Sequence, residues 1–514
     1  MARTIRHLFV RIDPRSADTL QAQVYAGICQ AIRQGVIATG TRVPSSRALA
    51  ADLGVSRTTT VLAYDQLVAE GYVTTRGGSG TFVADDLPDE GARVPVPTPG
   101  SERRHPPISA RGRAIAAIPP TVLRIAGPPR PFRIGTPALD RFPLQVWTQL
   151  TRRQLRSPTF GQLDYGHRAG LPALREAIAD HVSRARGTSC VADQVVVVAG
   201  AQHGLDLISR LLLDPGDVAW MEDPGYPGAR AALVAAGARI RPIPVDAQGL
   251  DADVGMRRAR DARLIYVTPS HQFPLGVSMS LPRRLSLLAW ARATGAWIVE
   301  DDYDSEFRFG TRPTPCLHGL DGDGRVIYVG SFSKTLFPAL RLGFLIVPSV
   351  LHDAVLAARR ASDIHPAALS QAVVADLMTS GAFERHLRRM RGEYRARLEA
   401  LGDGLARHCH GALTLRPVRT GLHAVADLVG AADDDVFREA MARGLETMPV
   451  SGYYSVDRGA QAVNALVLGF AAVPPDVLFS GTERLAAAID AVRNARGAVA
   501  TAAPHARRRR PSRR

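Results

Sequence analysis

Lys334 is the only lysine in the 514-residue chain; every other basic residue of the 64 is an arginine. A primary amine can lose its proton and condense with an aldehyde, which a guanidinium cannot do, so the amine at this one position implies Schiff-base chemistry. Ser331 and Ser333 precede it and Arg341 follows it, supplying donors for a phosphate dianion beside the amine. An aldehyde that carries a phosphate describes pyridoxal 5′-phosphate (PLP), with Lys334 as the residue that carries it.

The elements around this stretch are predicted to be those of a mostly parallel α/β sheet. Short apolar strands at Gln194–Ala199, Val218–Glu222, Leu264–Thr268, Trp297–Glu300 and Val326–Gly330 alternate with helical stretches. Open α/β sheets bind ligands outside the carboxyl ends of their strands, and each of these strands is followed by residues of use to PLP. Gly200-Ala201-Gln202 opens a helix whose N-terminal N–H groups suit a phosphate. Tyr226, in Asp223-Pro224-Gly225-Tyr226, can lie on the pyridine ring, and His271 and Gln272 offer donors to the ring oxygen. In Asp301-Asp302-Tyr303 a carboxylate can hold the pyridinium proton and the phenol can reach the ring oxygen, and Lys334 follows the last strand.

Composition bounds the remainder. The formal charge of +16 favours a polyanionic partner or a solvated arginine surface. Cys29, Cys190, Cys316 and Cys409 lie far apart without C-x-x-C spacing, which suggests neither a disulfide framework nor a zinc site, and no metal is expected. No export signal and no apolar run long enough for a membrane span is evident, so the expected location is the cytoplasm.

The N-terminal region has a different pattern. Leu20, Val24, Ile28 and Ile32 recur every fourth position and Gly35 follows; Ser45 caps a second helix that Gly54 ends; Ser56 caps a third with Thr60, Ala63, Tyr64, Leu67 and Val68 on one face. Ser56, Arg57, Thr58 and Thr59 at the start of the third helix suit base edges and phosphates of a major groove, and Arg47 the backbone. Tyr72–Val83 reads as a hairpin with Arg76 and Gly78 at its tip, a wing. The expected division is a winged helix-turn-helix domain over 15–84, a Pro/Arg-rich linker over 85–130 without core-forming periodicity, a PLP-binding domain over 131–496, and a basic, disordered tail over 497–514 that contains Arg507–Arg510.

The first region resembles the GntR family of bacterial transcription factors, in Pro44-Ser45-Ser46-Arg47, Gly54–Thr59, Glu70-Gly71-Tyr72 and Gly78–Val83. The larger one resembles fold-type I aminotransferases, in Asp164-Tyr165-Gly166, Gly200-Ala201-Gln202, Asp223–Tyr226, Asp301-Asp302-Tyr303 and Ser331-x-Ser333-Lys334 with Arg341. Together they resemble the MocR subfamily of GntR regulators. The resemblance implies an α/β aminotransferase-like domain with a smaller C-terminal α/β subdomain, Asp301 as the partner of the ring nitrogen, a homodimer, and PLP or a PLP–amine adduct as the signal. It also implies double-stranded operator DNA as partner, with RNA polymerase and a small amine or amino acid as further candidates. The resemblance departs in one respect: aminotransferases place a carboxylate-binding arginine just before a Leu-Gly-Phe-like strand, which here reads Asn464–Phe470 without one. Gly228 likewise stands where γ-aminobutyrate-responsive members have a second arginine. The alternative is a catalytically active aminotransferase with an accessory N-terminal domain.

Overall fold

The computed structural model describes residues 10, 12–88, 108–118, 127–310, 315–455 and 462–502, and the chain divides into two compact units at Pro106/Pro107. The Pro/Arg-rich run at 89–107 and the arginines from Arg507 onward lie outside the described residues.

In the first unit α1 (Leu20–Arg33), α2 (Ser46–Leu53) and α3 (Arg57–Ala69) precede a hairpin of β1 (Val73–Arg76) and β2 (Gly80–Val83). The side chains of Thr19, Ser45 and Ser56 each accept a backbone N–H at the start of their helix, and Gly54 ends α2 in the left-handed conformation. Val24, Ile28, Ile32, Leu49, Ala63 and Leu67 close the core. Two buried side chains set the position of α3: Thr60 donates to the Ser46 carbonyl at 2.9 Å and Tyr64 to the Pro44 carbonyl at 2.7 Å. Leu20 and Val68, expected on the buried faces, are exposed, the first at the start of α1 and the second in the last turn of α3.

In the second unit an eight-stranded sheet runs β3 (Val195–Val198), β10 (Gly343–Ile346), β9 (Val326–Ser331), β8 (Trp297–Asp302), β7 (Ala262–Val267), β4 (Val218–Asp223), β5 (Arg239–Asp246), β6 (Gly249–Leu250) in space. All five expected strands are present. Pairing is parallel from β9 to β5, while β10 runs antiparallel between β3 and β9. The inner strands β4 and β8 are buried along their length except for Trp297 at the start of β8, as a sheet covered on both faces requires. A second, antiparallel sheet orders β11 (Leu413–Leu415), β12 (His423–Leu428), β14 (Ala465–Gly469) and β13 (Met448–Pro449), and the helices Ala382–His408 and Pro475–Ala502 accompany it. The entering chain is stitched to this sheet: Gly469 donates its N–H to the Phe132 carbonyl at 3.0 Å.

Helix extends into the expected linker and past the expected start of the tail. Within 85–130 a short helix, α4 (Ala110–Ala116), is capped by Ser109, and its Arg111 donates to the Ala235 carbonyl at 3.2 Å. The last helix passes the expected boundary at 496 and runs to Ala502. Among the described residues no helix is long and apolar enough to cross a membrane, and all four cysteines are free thiols.

Candidate functional site

Antiparallel β10 returns beside β9, so β3, β9, β8, β7 and β4 all end at one edge of the sheet. The residues that follow them converge there, and alternation along β8 separates its two aspartates. Asp302 accepts from Tyr328 Oη at 2.7 Å and lies 2.9 Å from Arg186 Nε, a buried structural pair. Asp301 faces the other way. It accepts from Tyr266 Oη at 2.8 Å through one oxygen, while its Oδ1 is buried with no hydrogen-bond partner among the described residues. Burial, only partly offset by the Tyr266 hydrogen bond and the Lys334 charge, lifts the Asp301 pKa to about 7. A buried acceptor held ready in this way is what a protonated pyridine nitrogen would meet.

Lys334 Nζ donates to the Gly135 carbonyl at 2.6 Å. Near it, Ser331 Oγ accepts the Ser333 N–H at 3.1 Å. Helix α5 (Leu144–Arg156), α6 (Phe160–Leu163) and α7 (Pro172–Arg186) precede β3, and α8 (Ala201–Leu212) follows it. Ala201 and Gln202 occupy the first turn of α8, where N–H groups have no acceptor inside the helix. Gly200 precedes them at φ +88°, and a Cβ there would lie 3.4 Å from the Arg341 guanidinium, which also donates to the Ala199 carbonyl at 3.1 Å. The arginine thus lies across a helix N-terminus, and both favour an anion. Arg341 itself is left-handed at φ +51°, the conformation that turns the chain from Lys334 back into β10.

Tyr226 caps α9 (Pro227–Ala236) and meets Phe273 edge-to-face at 5.7 Å. Gly228 has no room for a side chain, since a Cβ would sit 2.5 Å from the Tyr226 ring and 2.4 Å from Gln202 Oε1. Gln202 donates to the Gly228 carbonyl at 2.8 Å, so its side chain braces this loop and only its backbone N–H faces the anion position. Tyr303 Oη donates to the His271 carbonyl at 2.9 Å, and Asp304 holds His271 Nδ1 at 3.0 Å.

Gln272 is placed otherwise than expected. Its amide donates to Glu222, to the Pro224 carbonyl at 2.9 Å and to the Phe273 carbonyl at 2.7 Å, and it accepts from Leu275 N at 3.0 Å. Nothing is left for a ring oxygen; the residue fixes the loop that presents Phe273 and His271. Tyr266, Glu222, Asp304 and the Gly135 carbonyl escape a reading of strand ends, because each acts across the fold. A tyrosine hydroxyl among the aliphatic side chains of an inner strand was the one available signal, since a buried phenol needs a partner.

In the first unit Arg47, Ser56, Arg57 and Thr58 are exposed and Thr59 is half-buried on the N-terminal part of α2 and α3. The hydroxyls of Ser56 and Thr59 lie 2.8 Å apart. At the wing, Gly78 is exposed at φ +73°, whereas Arg76 is not free: it lies over the Phe82 ring at 4.9 Å and 3.6 Å from Asp85. Arg42, missed in the sequence, runs along the wing instead. Its backbone pairs with Phe82, and a Cβ on Gly80 would fall 2.7 Å from its Nε.

Residues 20–83 match the gntR family of bacterial regulatory proteins, and residues 132–459 match aminotransferase class I and II. The probable rhizopine catabolism regulatory protein MocR of Rhizobium meliloti is 40% identical over 95% of this chain and 98% of its own length. This chain is a MocR-like GntR-family regulator. The pyridoxine biosynthesis regulator PdxR of Corynebacterium glutamicum is 33% identical over 91% of this MocR-like chain and 96% of its own. Among solved structures, the α-aminoadipate aminotransferase LysN of Thermus thermophilus, complexed with N-(5′-phosphopyridoxyl)-L-leucine, superimposes with a TM-score of 0.65 at 28% identity. It covers 75% of this chain and 96% of its own. The MocR-like chain is therefore a transcriptional regulator that joins a winged helix-turn-helix to a fold-type I aminotransferase domain.

Proposed function

We infer that the aminotransferase domain binds PLP at the strand ends and that its occupancy modulates binding of the winged helix-turn-helix to operator DNA. The observation that carries this reading is Asp301 Oδ1, buried with no hydrogen-bond partner among the described residues and within reach of the charge of Lys334, the only lysine of the chain. The residues present fit the cofactor: Asp301 for the ring nitrogen, Tyr303 and His271 on the ring-oxygen side, and Tyr226 against the ring face. Ser331, Ser333, Arg341 and the N–H groups of Ala201 and Gln202 fit the phosphate. When bound, PLP supplies an electrophilic carbonyl carbon and an electron-withdrawing ring. The chain's own work is to orient: Lys334 brings its nitrogen, Asp301 keeps a proton on the ring nitrogen, and the start of α8 and Arg341 anchor the dianion.

Relatives support the signal without assigning it here, since one is named for pyridoxine biosynthesis and another for rhizopine catabolism. DNA contacts fall to Arg57, Thr58 and Thr59 in a major groove, with Arg47, Arg76, Gly78 and Ser56 on the backbone and flanks. A homodimer is supported by an apolar face in and after α6, where Phe160, Leu163 and Tyr165 are 83%, 76% and 71% exposed. Titrating PLP into the cofactor-free protein with and without operator tests the coupling. A coupling of about 1–3 kcal/mol changes each affinity roughly 5–150-fold, and by linkage both change equally. Superimposable isotherms would refute it.

The working-aminotransferase alternative is favoured by the same intact lysine and aspartate. An amino-donor screen that reached about 1 turnover per second or more would establish it.

A further inference from the structure

Arg42 sits at the root of the wing, outside both the helix-turn-helix and the hairpin. Its backbone pairs with Phe82 of β2, and the hydrogen bonds on either side, from Val43 N–H to the Thr81 carbonyl and from Val83 N–H to the Thr41 carbonyl, are both 2.9 Å long. Two residues on, the Pro44 carbonyl accepts from Tyr64 of α3 at 2.7 Å, and Ser45 then caps α2. Arg42 is therefore tied to the hairpin on one side and to α3 on the other.

Its side chain crosses the hairpin instead of entering the core. Arg42 is exposed, and its guanidinium lies over Gly80, where a Cβ would fall 2.7 Å from Nε, 3.0 Å from Nη2 and 3.2 Å from Cζ. Glycine leaves the guanidinium this room, at the first residue of β2 and with φ +111°. Among the described residues the Arg42 side chain makes neither a hydrogen bond nor an ion pair. The hairpin's own arginine is engaged: Arg76 lies over the Phe82 ring at 4.9 Å and 3.6 Å from Asp85, so a carboxylate already shares its charge.

A guanidinium held in the open without a counter-charge suits an anion that arrives from outside. A body that puts α3 into a groove and a hairpin beside it straddles the phosphate strand bordering that groove, and the chain joining the two elements lies against that strand. We propose that Arg42 contacts a DNA phosphate at the root of the wing and supplies a larger share of the wing's attraction for DNA than Arg76 does. This rests on the reading of α3 and the wing as the DNA-facing elements. Such a contact adds affinity and fixes register without reading sequence.

The test uses the full-length protein and a fluorescently labelled mixed-sequence duplex, because phosphate contacts are read without the operator. Anisotropy titrations run from about 50 to about 200 mM salt. One lost phosphate contact lowers the slope of log K against log salt by about 0.9, so the gap between wild type and variant shrinks roughly three- to fourfold over that range. Arg42→Ala and Arg42→Gln should both show this loss, Arg42→Lys should keep the wild-type slope because a phosphate takes lysine as a point charge, and Arg76→Ala should lose less than half as much. Glutamine keeps much of the side chain's reach, so it separates the charge from the packing across Gly80. If the alanine variant does not fold, the glutamine and lysine variants decide. The arginines from Arg507 onward are common to every variant and cancel in the difference. A glutamine slope equal to that of lysine and wild type overturns the proposal, and so does a loss in Arg76→Ala as large as that in the Arg42 variants. If Arg47→Ala also leaves affinity and slope unchanged, the reading of these elements as DNA-facing falls and this inference with it; if Arg47→Ala weakens binding and the Arg42 variants do not, only this inference falls.

Discussion

Replacing Asp301 with asparagine should stabilise the PLP-free protein and weaken its hold on PLP, and the first effect should depend on pH. Burial raises the Asp301 pKa from an ordinary 3.8 to about 7. A raised acid pKa means that the folded state keeps a proton which the unfolded chain has released, so stability falls as pH rises between those two values. Below about pH 4 both states are protonated and the substitution changes little. Above about pH 7 the folded state bears the whole burden, roughly three units at 1.36 kcal/mol each, or about 4 kcal/mol. An amide in its place still accepts from Tyr266 but leaves its own N–H groups unpaired, so a net gain of about 2–3 kcal/mol is the better expectation. Glu300 is also raised to about 7 and imposes the same slope on wild type and variant, whereas Glu222, raised to about 7 in part by the Asp301 charge, is relieved along with it, so the difference between the two reads Asp301 together with its effect on Glu222. Denaturant unfolding of PLP-stripped wild type and Asp301→Asn at pH 4.5, 6 and 8 measures it. A variant no more stable than wild type at pH 8 would show that the Asp301 carboxylate is already compensated without a ligand, and the reasoning from Oδ1 would fail.

Other perturbations address separate parts. Borohydride reduction of PLP-loaded protein followed by peptide mapping should label Lys334 alone, and Lys334→Ala should abolish the label, since no second lysine can substitute. Arg57→Ala should remove specific operator retention with PLP absorbance unchanged, whereas Arg47→Ala should weaken binding to all sequences and reduce the salt slope by about one; gel-shift titrations across salt separate them. Gly421→Ala should destabilise the second unit by about 2 kcal/mol or more, because Gly421 sits at φ +89° and a Cβ would fall 2.0 Å from His271 Cε1 in a buried site. Thermal unfolding reads that loss, and an unchanged midpoint would show that the His271 loop yields.

How much was legible follows the range of the interactions. Caps, turns and strand ends are local, so Ser45, Gly54, Ser56, the five strands and Lys334 could be placed from neighbouring residues alone. Asp301 could be picked as the ring partner by resemblance, but its separation from Asp302 depends on which side of β8 meets Tyr266 and which meets Tyr328 and Arg186. The role of Gln272 is not legible locally because two of its four side-chain partners, Glu222 and the Pro224 carbonyl, come from the end of β4 and the loop that follows it. Helix α4 was hidden because arginines and prolines around it carry no periodicity; its support is the contact of Arg111 with the end of α9. Strand β10 reads as a plain apolar run, and only its pairing with both β3 and β9 shows that it runs against its neighbours.

The hydrogen bond from Lys334 to Gly135 has a mechanical consequence. Gly135 lies three residues beyond Phe132, whose carbonyl ties the entering chain to β14, and the covalent path from there leads back to the DNA-binding unit. If Lys334 turned its nitrogen to a ligand it would withdraw the donor from Gly135, and the root of the tether would keep only its other ties, Phe132 to Gly469, Pro131 to the Glu446 N–H and Arg133 to the Glu446 carboxylate. A lysine so placed would be a latch as well as a nucleophile: grasping a small molecule would slacken the root of the leash that leads to the DNA-binding unit.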